Sequence, residues 1–161
     1  MRKQKGFSLI ELLIVVAIIL IIAAIAIPNL LRSKMAANES SAVGSLRTIN
    51  TAEVTFSSTY GLGYTNLASL GGTACSGVAP ATAACLLDNV LATGTKSGYT
   101  FTVTPATGAG TSASPYQTYS STGTPAALGQ TGQRMFCSDE SGVIRYEVAG
   151  TGCVATSSAL Q

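Results

Sequence analysis

The chain has 161 residues, of which 47% are hydrophobic and 10% are charged, and it contains no histidine. Nine Lys and Arg residues against seven Asp and Glu residues give a formal net charge of +2, which is too small an excess to indicate nucleic-acid binding. Without histidine, the Ser-His and Cys-His pairs of nucleophilic enzymes are excluded. A chain of this length holds at most one soluble domain beside a hydrophobic helix.

The first 28 residues consist of a short basic head and a long apolar run that ends at Pro28. The head carries three cations before Gly6: Arg2, Lys3 and Lys5. Residues 7–27 form a run of 21, close to the roughly 20 residues that a helix needs to cross a bilayer. An acid inside such a run costs a few kcal/mol unless it is neutralised, so Glu11 is predicted to be functional.

Three interpretations of this segment compete. In a secretory signal peptide the cut would follow the small-residue site Ala24-Ile25-Ala26, but the apolar run is longer than the usual h-region of about 7–15 residues. A plain membrane anchor, with its basic head in the cytoplasm by the positive-inside rule, leaves Glu11 unexplained. In the third interpretation the cut falls before the apolar run, and the hydrophobic helix is kept.

The string KGFSLIELL, from Lys5 to Leu13, resembles the N-terminal signal of type IV pilins and type II secretion pseudopilins. The resemblance implies that a prepilin peptidase cuts between Gly6 and Phe7 and that the same enzyme methylates the new amine of Phe7. Glycine suits an extended chain in a protease site, because it has no side chain. Removal of the head would leave six Lys and Arg against seven Asp and Glu, a formal charge of −1 over 155 residues.

The resemblance also assigns Glu11 to assembly, where it would pair with the Phe7 ammonium of a neighbouring subunit. Two opposite charges about 4 Å apart attract by about 4 kcal/mol at an effective dielectric constant near 20. Because an unpaired buried acid is penalised, this pairing would supply both affinity and axial register. The alternative is that Glu11 stays protonated and faces the lipid headgroups.

Residues 29–60 are predicted to continue as an amphipathic helix, and Gly44 is the single glycine between residues 29 and 58. Apolar side chains recur there at helical spacings, at Met35, Ala42, Leu46, Ile49 and Phe56. The polar residues are predicted to lie mostly on the other sides: Arg32, Lys34, Asn38, Glu39, Ser41, Arg47 and Asn50. Pro28 lacks the N–H of one helical hydrogen bond and predicts a kink over residues 24–27.

After Tyr60 the composition changes to Gly, Ser, Thr and Ala with short β-like runs. Gly61 is predicted to cap the helix, and residues 65–98 are predicted to be a loop-rich connector with a short helix near 83–91. Four segments alternate like strands, the last two joined by a hairpin turn at 138–142: 99–104, 116–121, 134–137 and 143–148. Three or four antiparallel strands are enough to cover one face of a helix.

The predicted fold class is therefore α+β and type IV pilin-like: a long N-terminal α-helix, whose hydrophobic first half protrudes, packed against a small antiparallel β-sheet of 3–4 strands. Four segments are predicted along the chain. They are a removed leader (1–6), a transmembrane and fibre-core helix (7–28), the amphipathic half of the helix (29–60), and a connector and sheet domain with a C-terminal disulfide region (61–161).

The four cysteines lie beyond the helix, at Cys75, Cys85, Cys137 and Cys153. An even number in an exported domain with a thin core indicates two disulfides, and each would stabilise the fold by about 2–4 kcal/mol. Of the three connectivities, proximity along the chain favours Cys75–Cys85 and Cys137–Cys153. A zinc site is the alternative, but the sequence has no CxxC motif and no histidine.

Asp139 and Glu140 are adjacent carboxylates in a predicted turn, where solvation or hydrogen bonding to nearby backbone N–H groups is expected. A calcium ion at this turn is an alternative that the resemblance raises, although a dense pattern of oxygen ligands is missing. The sequence therefore predicts no catalytic residue, metal or cofactor, no enzyme activity, and no small-molecule or specific nucleic-acid site.

Two functions fit these features. The first is a structural subunit of a type IV pilus, a homopolymer held by helices 7–27; the alternative is a pseudopilin of a type II secretion system. Paired cysteines favour the pilus, because a filament outside the cell needs a protease-resistant surface. The resemblance implies a prepilin peptidase and methylase, an inner-membrane platform protein and an assembly ATPase as partners. It also implies a single-pass inner-membrane precursor with a cytoplasmic N-terminus, and then an extracellular pilus.

Overall fold

The computed structural model describes residues 7–72, 75, 78–148, 150, 152–154 and 156–160. The chain divides into two compact units, residues 1–34 and residues 35–161. One long helix, α1 (Leu9–Tyr60), contributes residues to both units. Gly61 follows it with a positive φ of 66°, and its N–H donates to the carbonyl of Ser57 at 3.1 Å, as expected of a glycine that ends a helix.

In the first unit, the described residues leave almost every apolar side chain exposed. Leu9, Ile10 and Leu20 are each more than 60% exposed, and only Ala23 is half-buried. The described part of this unit therefore has no hydrophobic core of its own. Because burial of apolar surface is the dominant favourable term in association, such a helix is stable in lipid or against other apolar helices.

The second unit combines the rest of α1 with two four-residue helices, α2 (Leu67–Leu70) and α3 (Asn89–Ala92), and one β-sheet. The strands in the described residues are β1 (Thr95–Lys96), β2 (Tyr99–Ala106), β3 (Thr118–Pro125), β4 (Arg134–Asp139), β5 (Arg145–Val148) and β6 (Ser158–Ala159). They pair antiparallel in the order β1-β2-β3-β4-β5-β6. Each strand therefore lies beside the strands that precede and follow it in the chain.

The predicted fold class is confirmed, since a long apolar helix and an antiparallel sheet are both present. The sheet has six described strands rather than three or four, because β1 and β6 were not predicted. Each of these edge strands has only two residues, and a period-2 alternation cannot be recognised over so short a segment. The four predicted strands correspond to β2, β3, β4 and β5.

Two local predictions need correction. The helix expected near residues 83–91 begins only at Asn89, after Asp88 accepts a hydrogen bond from the Leu91 N–H at 3.2 Å. β2 continues through Pro105 to Ala106, beyond the predicted end at residue 104. Because β1 pairs only with Tyr99 and Thr100, Pro105 lies on an open edge of β2, where a residue without N–H is tolerated.

The core of the second unit lies between α1 and the sheet. Leu46 and Ile49 of the predicted apolar face are 0% exposed, and Phe56 is 2% exposed. They form one hydrophobic cluster with Phe101 of β2 and Phe136 of β4. Complete burial of such a side chain stabilises the folded state by about 1.5–3 kcal/mol.

Glu39 was predicted on the polar sides of the helix, and this prediction is wrong. The residue is 8% exposed, and its carboxylate accepts hydrogen bonds from the backbone N–H groups of Gln133 (2.9 Å) and Arg134 (3.2 Å). The guanidinium of Arg134 also binds it at 2.8 Å. Burial opposes ionisation of Glu39, but these hydrogen bonds and the charge of Arg134 outweigh it, so the pKa of Glu39 lies below its usual value.

We expect Glu39→Ala to lower the free energy of unfolding by about 3 kcal/mol, because it leaves two backbone donors and a guanidinium without their acceptor. Lys96→Ala is the matched control, since it removes an exposed ion pair with Asp88 worth about 0–1 kcal/mol. Thermal unfolding of the detergent-solubilised chain, followed by circular dichroism, measures both. Equal unfolding temperatures for the two variants would show that the Glu39 contacts do not stabilise the fold.

Candidate functional site

The N-terminal end of α1 brings Glu11 to the backbone of Ser8. Phe7 and Ser8 precede the helix, and Glu11 occupies its third position. The Ser8 N–H donates to Oε2 of Glu11 at 2.9 Å, which is one half of a capping box. An acid in the first turn is also favoured by the positive end of the helix dipole. Within the chain, Glu11 therefore stabilises the start of α1.

The predicted leader cut lies just before this cap. Gly6 falls outside the described residues, and Phe7 is 85% exposed. The pairing of Glu11 with the Phe7 amine of a neighbouring subunit requires a second chain and the new amine, so it stays a prediction. The same holds for cleavage after Gly6 and for methylation of Phe7.

Beyond Glu11, the helix presents an apolar surface long enough to cross a membrane. Among the described residues, α1 is the one helix with the length and composition for this, and its apolar stretch is not buried within the chain. Pro28 lies inside α1, and the kink predicted over residues 24–27 stays a prediction. A helix of this kind is able to span a bilayer or to pack in a bundle of similar helices.

The cysteines form two disulfides in the structure, Cys75–Cys85 and Cys137–Cys153, each with a Cα–Cα distance of 5.7 Å. The first joins two residues of the connector before α3, and the second joins β4 to the C-terminal segment. With all four sulfurs in disulfides, none is a thiolate that could bind zinc.

The carboxylates of the β4–β5 turn do not converge on a common point. Asp139 accepts hydrogen bonds from the Ser141 N–H at 3.0 Å and from the Ser141 hydroxyl, while Glu140 is exposed. Within the described parts of the chain, no group of three His, Cys, Asp or Glu residues could hold a metal ion. The turn is therefore an Asx-type turn with one free acidic side chain.

A second buried acid on α1, Glu53, was not singled out from the sequence. It is 0% exposed, and its Oε2 accepts a hydrogen bond from the Thr65 N–H at 3.0 Å. Its other oxygen, Oε1, has no partner in the structure. Burial raises the pKa of Glu53 to about 7, against the opposing effect of the Thr65 hydrogen bond. The carboxyl holds the segment after α1 against the helix and has no access to a substrate.

Asn50, one turn before Glu53, binds the sheet through two side chains. The Tyr119 hydroxyl donates to Oδ1 of Asn50 at 3.0 Å, and Nδ2 of Asn50 donates to the Ser138 hydroxyl at 2.8 Å. Burial and the nearby Glu53 raise the pKa of Tyr119 well above its usual value, so its hydroxyl remains a donor. The sequence did contain a signal for these buried polar residues. Glu39, Asn50 and Glu53 lie at helical spacing from Leu46 and Ile49, which places them on the same face of α1.

Comparisons with known proteins match part of the chain. Residues 1–27 match the family described as the prokaryotic N-terminal methylation motif. Over 39 residues the chain is 64% identical to the type IV wide pilus major component PilA4 of Thermus thermophilus, covering 24% of this chain and 30% of that protein. No solved structure matches the chain.

Two further relatives are similar to the chain over segments of 54 and 43 residues. The chain is 48% identical over 54 residues to the type IV major pilin protein PilA of Myxococcus xanthus, covering 34% of this chain and 24% of that protein. It is 49% identical over 43 residues to the type II secretion system core protein G of Vibrio cholerae, covering 27% of this chain and 30% of that protein. The matches thus span less than a third of the length of these relatives.

The pKa of Glu53 predicts a stability that falls as the pH rises from about 4.5 to about 7. In this interval the carboxyl ionises in the unfolded chain, whose pKa is near 4.5, but stays protonated in the fold. Above pH 7 it is ionised in both states, and the full penalty of about 3 kcal/mol is reached. Glu53→Gln is expected to remove this decline.

The measurement is the thermal unfolding midpoint of the detergent-solubilised chain between pH 4.5 and pH 8. Glu140→Gln is the control, because it removes an exposed carboxylate from the same protein. A wild-type and a Glu53→Gln chain with parallel pH profiles would contradict the assignment.

Proposed function

We propose that this chain, whose residues 1–27 match the N-terminal methylation motif and which is similar in part to type IV pilins and to a type II secretion core protein, is a structural subunit of a type IV pilus. The observation that carries the proposal is the apolar stretch of α1, which is exposed except at Ala23 and is interrupted by the single acid Glu11. Such a surface suits a helix that moves from lipid into a helical bundle. The protein acts as a building block rather than as an enzyme.

Processing comes first in the proposed pathway. The precursor is held in the inner membrane with Arg2, Lys3 and Lys5 on the cytoplasmic side. A prepilin peptidase cuts after Gly6 and methylates the Phe7 amine, and an assembly ATPase acting through an inner-membrane platform protein drives subunits into the fibre. The domain formed by residues 35–161 then lies on the extracellular surface of the filament.

The function of this subunit is to associate with other copies of itself. When the helices leave lipid and bundle, the Glu11 carboxylate enters an environment of low dielectric constant, where a bare charge is penalised. The Phe7 ammonium of a neighbouring copy removes that penalty and sets the axial step. The carboxylate has two oxygens, so Oε2 can keep the Ser8 N–H while Oε1 accepts the neighbour's amine.

A pseudopilin of a type II secretion system is the second candidate, favoured by the similarity to the core protein G of Vibrio cholerae. The two roles differ in where the mature chain accumulates. A pilin is recovered in filaments sheared from the cell surface, whereas a pseudopilin stays with the cell envelope. Two disulfides favour the pilin, because they protect a chain that lives outside the cell.

The charge-pairing role predicts that Glu11→Ala and Glu11→Gln chains are inserted and cleaved but fail to form filaments. Glutamine keeps an acceptor for the Ser8 N–H, so it separates loss of charge from loss of the helix cap. At about 4 kcal/mol per pair, filament yield should fall by at least about tenfold. Sheared filaments are weighed against mature subunit in the membrane, with Lys96→Gln as a surface control. Normal filaments from Glu11→Ala as the sole subunit would refute the role of Glu11.

Processing itself is tested by the intact mass and N-terminal peptide of the protein purified from its native cells. We expect a chain that begins at N-methylated Phe7 and lacks four thiol hydrogens. Gly6→Val should block the cut and leave a membrane-bound precursor, because a branched side chain replaces the glycine before the scissile bond. Mature-length protein from the Gly6→Val gene, or a native chain that begins at residue 27, would overturn the proposal.

A further inference from the structure

A groove of about 470 Å³ lies between α1 and the end of the sheet, within the second unit. Its helix side is lined by Ala36, Glu39, Ser40, Val43, Gly44 and Arg47, and its sheet side by Arg134, Phe136 and Leu160. The charged residues on the helix side are Glu39, which is paired with Arg134, and Arg47, which is exposed. The groove therefore combines apolar side chains with one ion pair, Arg134–Glu39, and one cation outside the described ion pairs, Arg47.

Gly44 leaves the backbone of α1 exposed on the helix side of the groove. Glycine is a poor residue for a helix interior, where alanine is the best. A Cβ built at Gly44 would meet no atom within 4 Å, so no packing inside the chain requires a glycine there. Small residues on a helix allow the backbone of another segment to approach.

Arg47 and Glu140 are charges of opposite sign that belong to no described ion pair. Among the described residues, the ion pairs are Lys96–Asp88 and Arg134–Glu39, and neither Arg47 nor Glu140 belongs to one. Glu140 is exposed at the β4–β5 turn, beside the exposed residues Ser141 and Gly142. The turn faces solvent at Gly142, since a Cβ built there would meet no atom within 4 Å.

We propose that the groove binds the β4–β5 turn (residues 139–142) of a second copy of this chain, with Glu140 of that copy paired with Arg47. The proposal rests on the filament function proposed above and names a contact between subunits outside the N-terminal helix. Complementary charge selects the orientation of the two copies, and the absence of a side chain at Gly44 allows the turn to approach α1.

The proposed contact joins two different surfaces of the chain, and this determines the type of assembly that it forms. A groove on one copy and a turn on the next form a heterologous, head-to-tail interface, and such interfaces generate open helical filaments when the rotation does not close. Within one chain, Asn50 holds the turn through the Ser138 hydroxyl at 2.8 Å and the Gly142 carbonyl at 3.4 Å. The turn is therefore preorganised, while the Glu140 side chain remains available.

The test uses two chains with reversed charges, Arg47→Glu and Glu140→Arg. Each chain alone repels its own copies at the groove, and we expect at least a tenfold loss of sheared filaments. When both chains are expressed together, each altered groove meets an altered turn of the other chain, and filaments should recover. A pair formed within one chain would not be restored by mixing. Lys96→Glu, outside the groove, is the charge control and should assemble normally.

Two outcomes overturn the groove contact while leaving the filament function intact. They are wild-type filament yields from either single variant, and no recovery in the mixture. If the wild-type chain itself forms no filaments in its native cells, the filament function fails instead.

Two further measurements test the contact even if a charge-reversal variant does not fold. In filaments assembled from mixed ¹⁴N- and ¹⁵N-labelled Arg47→Lys chains, carbodiimide should couple the new amine to Glu140 of the other isotope. Filaments without this mixed cross-link would contradict the contact. Gly44→Leu should fill the groove and abolish filaments, whereas Thr48→Leu places the same side chain one turn further along α1, at an exposed position outside the groove. Equal yields from the two leucine variants would also contradict it.

Discussion

Directional polar contacts on the buried face of α1 fix where the helix lies on the sheet. Hydrophobic contacts of Leu46 and Ile49 supply most of the stabilisation but are non-directional, so they tolerate small shifts. The carboxylate of Glu39 accepts from two consecutive backbone N–H groups at the start of β4, and Asn50 reaches the other end of that strand through Ser138. A helix held at two points eleven residues apart cannot slide by a turn without losing both sets of hydrogen bonds.

The architecture could be predicted from the sequence where a hydrophobic pattern extends over several periods. The apolar face of α1 and the four longer strands extend over enough residues to show a 3.6- or 2-residue period, and both are present in the structure. The edge strands β1 and β6 could not be predicted, because two residues contain no period. Glu39 was misplaced because a charged side chain was assigned to the solvent side by type rather than by position, although it lies seven residues before Leu46.

The candidate site, like the fold, could be predicted only in part from the sequence. Its N-terminal features, Gly6, Phe7 and Glu11, depend on a local string of residues and could be proposed from the sequence alone. The hydrogen bond between Ser8 and Glu11 could not, because it requires the exact start of the helix. Three glutamates of one helix thus have three environments: Glu11 caps it, Glu39 is ionised against Arg134, and Glu53 is buried with a raised pKa. Residue type alone does not distinguish them.

The disulfides connect neighbours in chain order, with separations of 10 and 16 residues. If this chain crosses a membrane as proposed for a pilus subunit, Cys75 and Cys85 enter the oxidising compartment while Cys137 and Cys153 are still behind them. The first bond can therefore close before any competing thiol is present, and the last two cysteines then have only each other. Oxidation in order of emergence leads directly to this connectivity, so correct pairing does not depend on a catalyst that reshuffles wrong bonds.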